Sequence, residues 1–211
     1  PMADRRTRLA VALCVALTAV PVTAAHAQVF AEFGTGATWS SILVRDTIVD
    51  GFTAQPAIAP TLGIAVGTSL GPKYEVAVGL AWARSDLQQK QTEGSRDIIP
   101  LTVWTGTLDL RWRILPWASA QASIGAVKYS AADEGRQATL FRNDQPLEPT
   151  VGLGVRVDHP LGRHFLVALD LEWGLHRFRT QALSETGFGS RLVNRVFLGA
   201  TLRWSNAETT R

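Results

Sequence analysis

Two carboxylates stand in the middle of an apolar segment, HFLVALDLEWGLH at 164–176. Every second residue from Phe165 to Leu175 is apolar, whereas the alternate set holds Asp170 and Glu172. Such alternation predicts a β-strand with two unlike faces. Carboxylates that face a low-dielectric space need positive partners, because an unpaired buried charge is costly. The two acids therefore predict either ion pairs or a polar path for ions or protons.

Histidines are the other residues with catalytic potential. A site that acylates or deacylates a lipid would need a nucleophilic Ser beside a His with an orienting carboxylate. After residue 27 the only histidines are His159, His164 and His176, with no Cys, so no metal-ligand spacing is present. His159 and His164 flank a predicted turn, and no His-x-Ser occurs, which leaves His176 as the candidate. The sequence predicts no catalytic, cofactor or metal site, with a lipid-modifying enzyme as an alternative.

Eight alternating segments make up the chain after residue 28. The connections between them are alternately short (71–73, 115–117 and 159–162) and long and polar (40–56, 88–97, 131–146 and 178–190). Transmembrane barrels have an even number of antiparallel strands, short turns at one end and long loops at the other. The sequence therefore predicts an all-β, eight-stranded antiparallel up-and-down transmembrane β-barrel over 28–204. The predicted strands are 29–39, 57–70, 74–87, 98–113, 118–130, 147–158, 164–177 and 191–204.

The two faces of these strands distinguish a membrane barrel from a soluble one. One face is apolar through the middle of the strands, with Lys128 near a strand end, while the other carries most of the charges and many glycines. A soluble barrel, the alternative, would enclose its apolar face and put its charges in water. Small residues fit the concave inside of a narrow barrel. The charges are therefore expected in the lumen and the apolar face in lipid.

The lumen charges are expected to form a plug of ion pairs, because an eight-stranded barrel is only wide enough for side chains. Neighbouring strands are expected to bring Glu172 opposite Arg195, and closure of the barrel to bring Glu32 near Arg203. Asp109 is expected to cluster with Arg111 and Arg113, and a narrow channel remains the alternative. The predicted network is Glu32, Glu75, Asp109, Arg111, Arg113, Arg156, Asp170, Glu172, Arg195 and Arg203.

Aromatic residues on the apolar face recur at one spacing. Three strands carry aromatic pairs eight residues apart, which corresponds to a climb of roughly 20 Å along a tilted strand. That is close to the separation of the aromatic girdles of outer-membrane barrels. The predicted girdle residues are Trp39, Tyr74, Trp82, Trp104, Trp112, Phe165, Trp173 and Trp204.

The N-terminal segment reads as a secretory signal peptide. Arg5, Arg6 and Arg8 precede the apolar run 9–20, and Ala-His-Ala at 25–27 provides a cleavage site. Removing residues 1–27 leaves 18 basic and 17 acidic residues, so the sequence pI of about 9.5 does not support nucleic-acid binding. No Cys remains after cleavage, so disulfides cannot hold the fold. The predicted domains are the signal peptide, the barrel over 28–204 and a short C-terminal tail over 205–211.

The last strand ends in FLGATLRW at 197–204, in which Gly199, Leu202 and Trp204 match the C-terminal strand signal of outer-membrane proteins. With the eight strands and the signal peptide, the chain resembles the small OmpA/OmpX-type outer-membrane barrels. The resemblance implies a location in the cell outer membrane, with outer-membrane lipid and lipopolysaccharide as partners and the barrel-assembly machinery acting during biogenesis. A further peptidoglycan-binding domain is not expected. The expected function is non-enzymatic, structural or surface-interacting, through extracellular loops whose ligand the sequence does not name.

Overall fold

The computed structural model describes residues 28–45, 53–91, 94–131, 147–180 and 191–206. The predicted signal peptide, loop residues 46–52, 132–146 and 181–190, and the tail from 207 lie outside these ranges. No helix in the described part of the chain is long and apolar enough to cross a membrane. The strands in these ranges are β1 (Val29–Ser40), β2 (Val44–Arg45), β3 (Thr53–Pro56), β4 (Ala59–Ser69), β5 (Tyr74–Gln91), β6 (Gly94–Leu115), β7 (Ala118–Ala131), β8 (Leu147–Pro160), β9 (Phe165–Phe178) and β10 (Arg191–Ser205).

The eight long strands close into a ring in the order β5, β4, β1, β10, β9, β8, β7 and β6, and β6 returns to β5. Every neighbouring pair is antiparallel, including β1 with β10, which closes the barrel. The short strands β2 and β3 add to the far end of β5. The predicted eight-stranded antiparallel barrel is confirmed.

The two ends of the barrel differ in their connections. At the turn end, the β4–β5 turn uses Gly71 with φ of 102°, a left-handed conformation that glycine adopts without a steric penalty. There the backbone N–H of Leu70 donates to the carbonyl oxygen of Tyr74 over 2.8 Å. The opposite end, the loop end, carries the longer connections.

The predicted loops at 40–56 and 88–97 are partly wrong, because strands occupy much of both. β5 and β6 run on to Gln91 and Gly94, and Gln88 Nε2 donates to Asp97 Oδ1 over 3.0 Å between them. The strands β2 and β3 lie within 40–56. Polar composition indicated loops, yet a strand outside the bilayer presents polar residues to water.

The polarity of the two faces inverts along the long strands. In the turn-end half of β5, Val78 and Leu80 point outward and are exposed, while Glu75 is buried inside. Beyond Trp82, the outward positions hold exposed polar residues such as Arg84, and the buried position Leu87 is apolar. The barrel therefore has a lipid-facing segment that is apolar outside and polar inside. At the loop end it has an extension that is polar outside and apolar inside, like a soluble protein.

The aromatic residues line up at two heights on the outside of the lipid-facing segment. Nearer the turn end, Tyr74 lies opposite Trp112 and Phe165 opposite Trp204. Nearer the loop end, Trp82 lies opposite Trp104, while Val196 separates Trp39 from Trp173 in the same row. The structure thus places the eight predicted girdle residues in two rows at the limits of the exposed apolar belt.

Candidate functional site: the barrel lumen

Glu32 of β1 is the centre of a buried cluster in the turn-end half of the lumen. Its two carboxylate oxygens accept hydrogen bonds from Nη1 and Nη2 of Arg111, each over 2.8 Å. Arg203 Nε donates to Glu32 Oε1 over 2.7 Å, and Arg156 Nη1 lies 3.0 Å from the same oxygen. Charge-assisted and bidentate bonds of this kind are the strong ones. One carboxylate therefore ties together strands β1, β6, β8 and β10.

Glu75 of β5 completes the cluster. Arg203 donates to it in a fork, with 2.9 Å from Nη1 to Oε1 and 2.7 Å from Nη2 to Oε2. Arg113 Nη2 lies 3.3 Å from Glu75 Oε1 at the more exposed edge. The Arg203 guanidinium also stacks 4.0 Å from the centre of the Phe30 ring, a cation–π contact. We call Glu32, Glu75, Arg111, Arg156 and Arg203 the arginine–glutamate cluster.

A cavity of about 170 Å³ lies between this cluster and the loop end. Three carboxylates line it. Asp170 Oδ2 accepts from Thr201 Oγ1 over 2.6 Å, and Glu172 Oε1 accepts from Ser123 Oγ over 2.8 Å. The third, Asp109, is buried, and its Oδ1 has no hydrogen-bond partner among the described residues. A space of this volume has room for several water molecules, which the carboxylates on its wall can bind.

The structure brings some of the predicted partners together and separates others. Glu32 and Arg203 lie directly opposite in the β1–β10 register and form an ion pair, as expected. The expected Glu172–Arg195 pair is wrong: Arg195 lies opposite Gly174, and its Nη1 donates to Thr105 over 2.7 Å. The strand register differs by two residues from the expected one, and this shift separates Arg195 from Glu172.

The expected cluster of Asp109 with Arg111 and Arg113 is formed only in part: Asp109 and Arg111 interact through their charges, but Asp109 forms no ion pair with either arginine in the described part of the chain. Arg111 turns across the lumen to Glu32, and Arg113 contacts Glu75 and the carbonyl oxygen of Pro72. Neighbours along one strand share a face, but long guanidinium side chains reach the opposite wall of a narrow barrel. The sequence spacing therefore predicted the lumen charges and the Glu32–Arg203 pair, but not the contacts that cross the lumen.

The sequence analysis missed an apolar plug in the loop-end extension. Buried apolar side chains fill the inside of the barrel there, above Arg195, and Tyr129 and Phe178 pack edge to face with ring centres 5.1 Å apart. The signal was present, because the inward positions of β5, β6, β7 and β9 change from charged or small to apolar after the girdle. We call this group the apolar cap: Leu43, Val44, Ala54, Ala59, Ala83, Leu87, Ile99, Leu101, Val103, Val127, Tyr129, Phe178 and Val193.

The three histidines of the described part of the chain lie in different surroundings. His176 is buried beneath the apolar cap, where its Nε2 lies 2.6 Å from the Tyr129 hydroxyl. His164 is exposed at the turn end, with Nδ1 3.1 Å from the carbonyl oxygen of Ser205. His159 is likewise exposed there. Among the described residues, no group of three or more His, Cys, Asp or Glu could hold a metal ion.

The C-terminal strand signal lies along the seam that closes the barrel. Leu202 and Trp204 of β10 are exposed on the belt. Gly199 lies opposite Gly36, and a Cβ at either position would overlap the Phe197 ring and a backbone carbonyl oxygen across the seam. The Phe197 ring thus lies inside the lumen against these two glycines.

Comparison with known structures identifies the architecture. Neisserial surface protein A has a TM-score of 0.51 and 12% identity to this chain, covering 85% of this chain and 98% of its own. Ail of Yersinia pestis has a TM-score of 0.48 and 12% identity, covering 85% of this chain and 99% of its own. OprG of Pseudomonas aeruginosa has a TM-score of 0.48 and 15% identity, covering 84% of this chain and 95% of its own. The chain has the fold of a small outer-membrane β-barrel.

No protein-family model and no curated protein sequence matches the chain. Membership of the OmpA/OmpX-type family therefore stays a prediction, whereas the coarser resemblance to small outer-membrane barrels is confirmed. The exposed apolar belt, its two aromatic rows and this fold place the protein in the cell outer membrane, as the sequence predicts. Barrels of that membrane direct their longer loops outward from the cell.

Proposed function

We propose that this protein is a non-enzymatic outer-membrane barrel with a closed lumen, which acts through its cell-surface loops and its lipid-facing wall. The observation that carries the proposal is that the lumen is filled at two heights. The arginine–glutamate cluster fills the turn-end half, and the apolar cap fills the loop end. A solute would have to pass both, so the described wall and loop end are the surfaces available to partners.

The absence of catalysis is part of this proposal. His176, the candidate general base, faces Tyr129 in the lumen rather than a serine on the lipid side. An acyl-transfer site needs a nucleophile within hydrogen-bond reach of its base. We further propose that lipopolysaccharide surrounds the belt and that the barrel-assembly machinery recognises β10 through Gly199, Leu202 and Trp204.

A narrow channel is the second candidate, and the mid-lumen cavity favours it. Three carboxylates and three arginines line this space, and the cavity needs only an opening at each end to become an ion path. We call the arginine–glutamate cluster and the apolar cap the two seals. A closed barrel and a channel differ in whether these seals block the lumen, and planar-bilayer conductance measures this directly.

The experiment compares wild type with Phe178→Ala in the cap, Arg203→Ala in the cluster, and the double variant. Two seals in series predict no steady openings in wild type, rare openings in each single variant and steady openings in the double variant. Electrophoresis with and without boiling checks that each variant is folded. Large, steady openings of wild type would refute closure and establish the channel.

The catalytic alternative has its own test. Lipid A from cells with and without the protein is compared by mass spectrometry, and identical acylation is expected. A shift in acyl-chain mass that disappears in His176→Ala would overturn the non-enzymatic proposal.

A further inference from the structure

Two cations face outward at the loop-end limit of the apolar belt. Lys128 of β7 lies opposite Trp104 of β6, which lies opposite Trp82 of β5, so these three residues share one height. Arg84 follows Trp82 by two residues on the same outward face, and both cations are exposed. The aromatic row is therefore flanked by a positive charge on each side.

The two cations are close enough to act on one group. Their Cα positions differ by two strands and two residues, a separation of roughly 12 Å. Extended arginine and lysine side chains can converge across that distance, above Trp104. Neither cation forms an ion pair with a carboxylate in the described part of the chain. The acid nearest along the same outward face, Asp86, is exposed two residues further from the belt than Arg84.

The belt beneath this pair is shallow. The outward face of β7 carries Ala118, Ala120, Ala122 and Ala126, with Ile124 as the large residue among them. Gly106 on β6 lies opposite Ala126, and a Cβ there would meet no atom within 4 Å. An acyl chain can therefore lie along β7, between the larger side chains of β6 and β8, and reach the height of Lys128.

We propose that Arg84 and Lys128 bind a phosphate of bisphosphorylated lipid A in the outer leaflet, with an acyl chain lying along β7. Juxtamembrane lysine and arginine attract anionic headgroups, and interfacial tryptophan lies at the same level as those headgroups. Arginine adds a planar fork that matches phosphate oxygens. The choice of lipid A rests on the loop end facing the cell exterior, where this phosphorylated glycolipid forms the leaflet; it does not rest on the lumen being closed.

The test measures lipid binding to the full, refolded chain by native mass spectrometry from detergent micelles. The probes are bisphosphorylated lipid A, fully dephosphorylated lipid A and phosphatidylglycerol. The test variant is Arg84→Gln with Lys128→Gln. The matched control is Lys73→Gln with Lys90→Gln, which removes two exposed positive charges away from the loop-end aromatic row. Heat-dependent electrophoretic mobility confirms the fold of each variant.

The double variant is expected to bind bisphosphorylated lipid A roughly tenfold more weakly or worse, while the control binds as wild type does. Wild type should prefer that lipid to both other probes. Equal losses in test and control variants would overturn the site, as would equal binding of dephosphorylated lipid A. Equal binding of phosphatidylglycerol, or displacement by millimolar inorganic phosphate, would overturn the lipid A assignment. Conductance is a separate measurement from lipid binding. An open pore would therefore refute the closed lumen and leave the lipid A site unaffected.

Discussion

At the scale of single residues, Glu32 determines how the turn-end half of the lumen is held together. Arg111, Arg156 and Arg203, from three different strands, converge on this one buried carboxylate. Removing one partner of a buried charge group leaves the others uncompensated. Glu172 differs, since its carboxylate accepts a hydrogen bond from the Ser123 hydroxyl and faces the cavity.

Glu32→Gln is therefore expected to destabilise the barrel by ~3–5 kcal/mol, because three guanidinium groups lose their shared anion. Glu172→Gln is the matched change and should cost about 1 kcal/mol or less, since a Gln carbonyl still accepts from Ser123. Urea unfolding of the refolded protein in micelles, followed by tryptophan fluorescence, measures both. Similar costs for the two variants would mean that Glu32 does not organise the cluster.

At the scale of elements, each long strand consists of two segments with opposite polarity. Leu169 of β9 is exposed in the middle of the belt, whereas Thr102 of β6 faces outward on the loop side of Trp104. The boundary between the segments thus lies at the aromatic row, which is a testable position.

Leu169→Arg is expected to cost ~2–4 kcal/mol, because it places a charge near the bilayer midplane. Thr102→Arg, the same side chain beyond the girdle, should cost about 1 kcal/mol or less. Unfolding in lipid vesicles gives both free energies. A cost for Thr102→Arg as large as that for Leu169→Arg would move the membrane boundary toward the loop end.

Alternation alone predicted the eight long strands, their order around the ring and the outward position of Trp173 and its counterparts. It could not predict that β5 and β6 continue to Gln91 and Gly94, since a polar outer face indicates a loop when only one polarity is assumed. It could not predict that Arg111 crosses to Glu32, because strand register fixes neighbours and not contacts across a lumen. The apolar cap was missed because only one polarity was assumed along each strand, although Leu101 and Val103 lie on the same face as Asp109.

At the scale of the whole molecule, the barrel exists only if β1 and β10 meet, and these strands lie at opposite ends of the described chain. Their seam pairs Phe30–Ser40 with 195–205, with Gly36 opposite Gly199 at its middle. The Phe197 ring lies over both glycines inside the lumen. Closure therefore depends on a close backbone approach that side chains at these two positions would prevent.

Gly199→Ala is expected to reduce closure, because its Cβ would overlap the Phe197 ring and the Thr35 carbonyl oxygen. Overpacking of this kind costs roughly 1–3 kcal/mol. Gly106→Ala is the matched control, since its Cβ would enter open space on the lipid face and should be neutral or slightly stabilising. The measurement is the fraction of refolded chain with the mobility of the closed barrel before boiling, followed against urea concentration. A Gly199→Ala barrel that closes as completely as the Gly106→Ala barrel would show that the seam tolerates a side chain there.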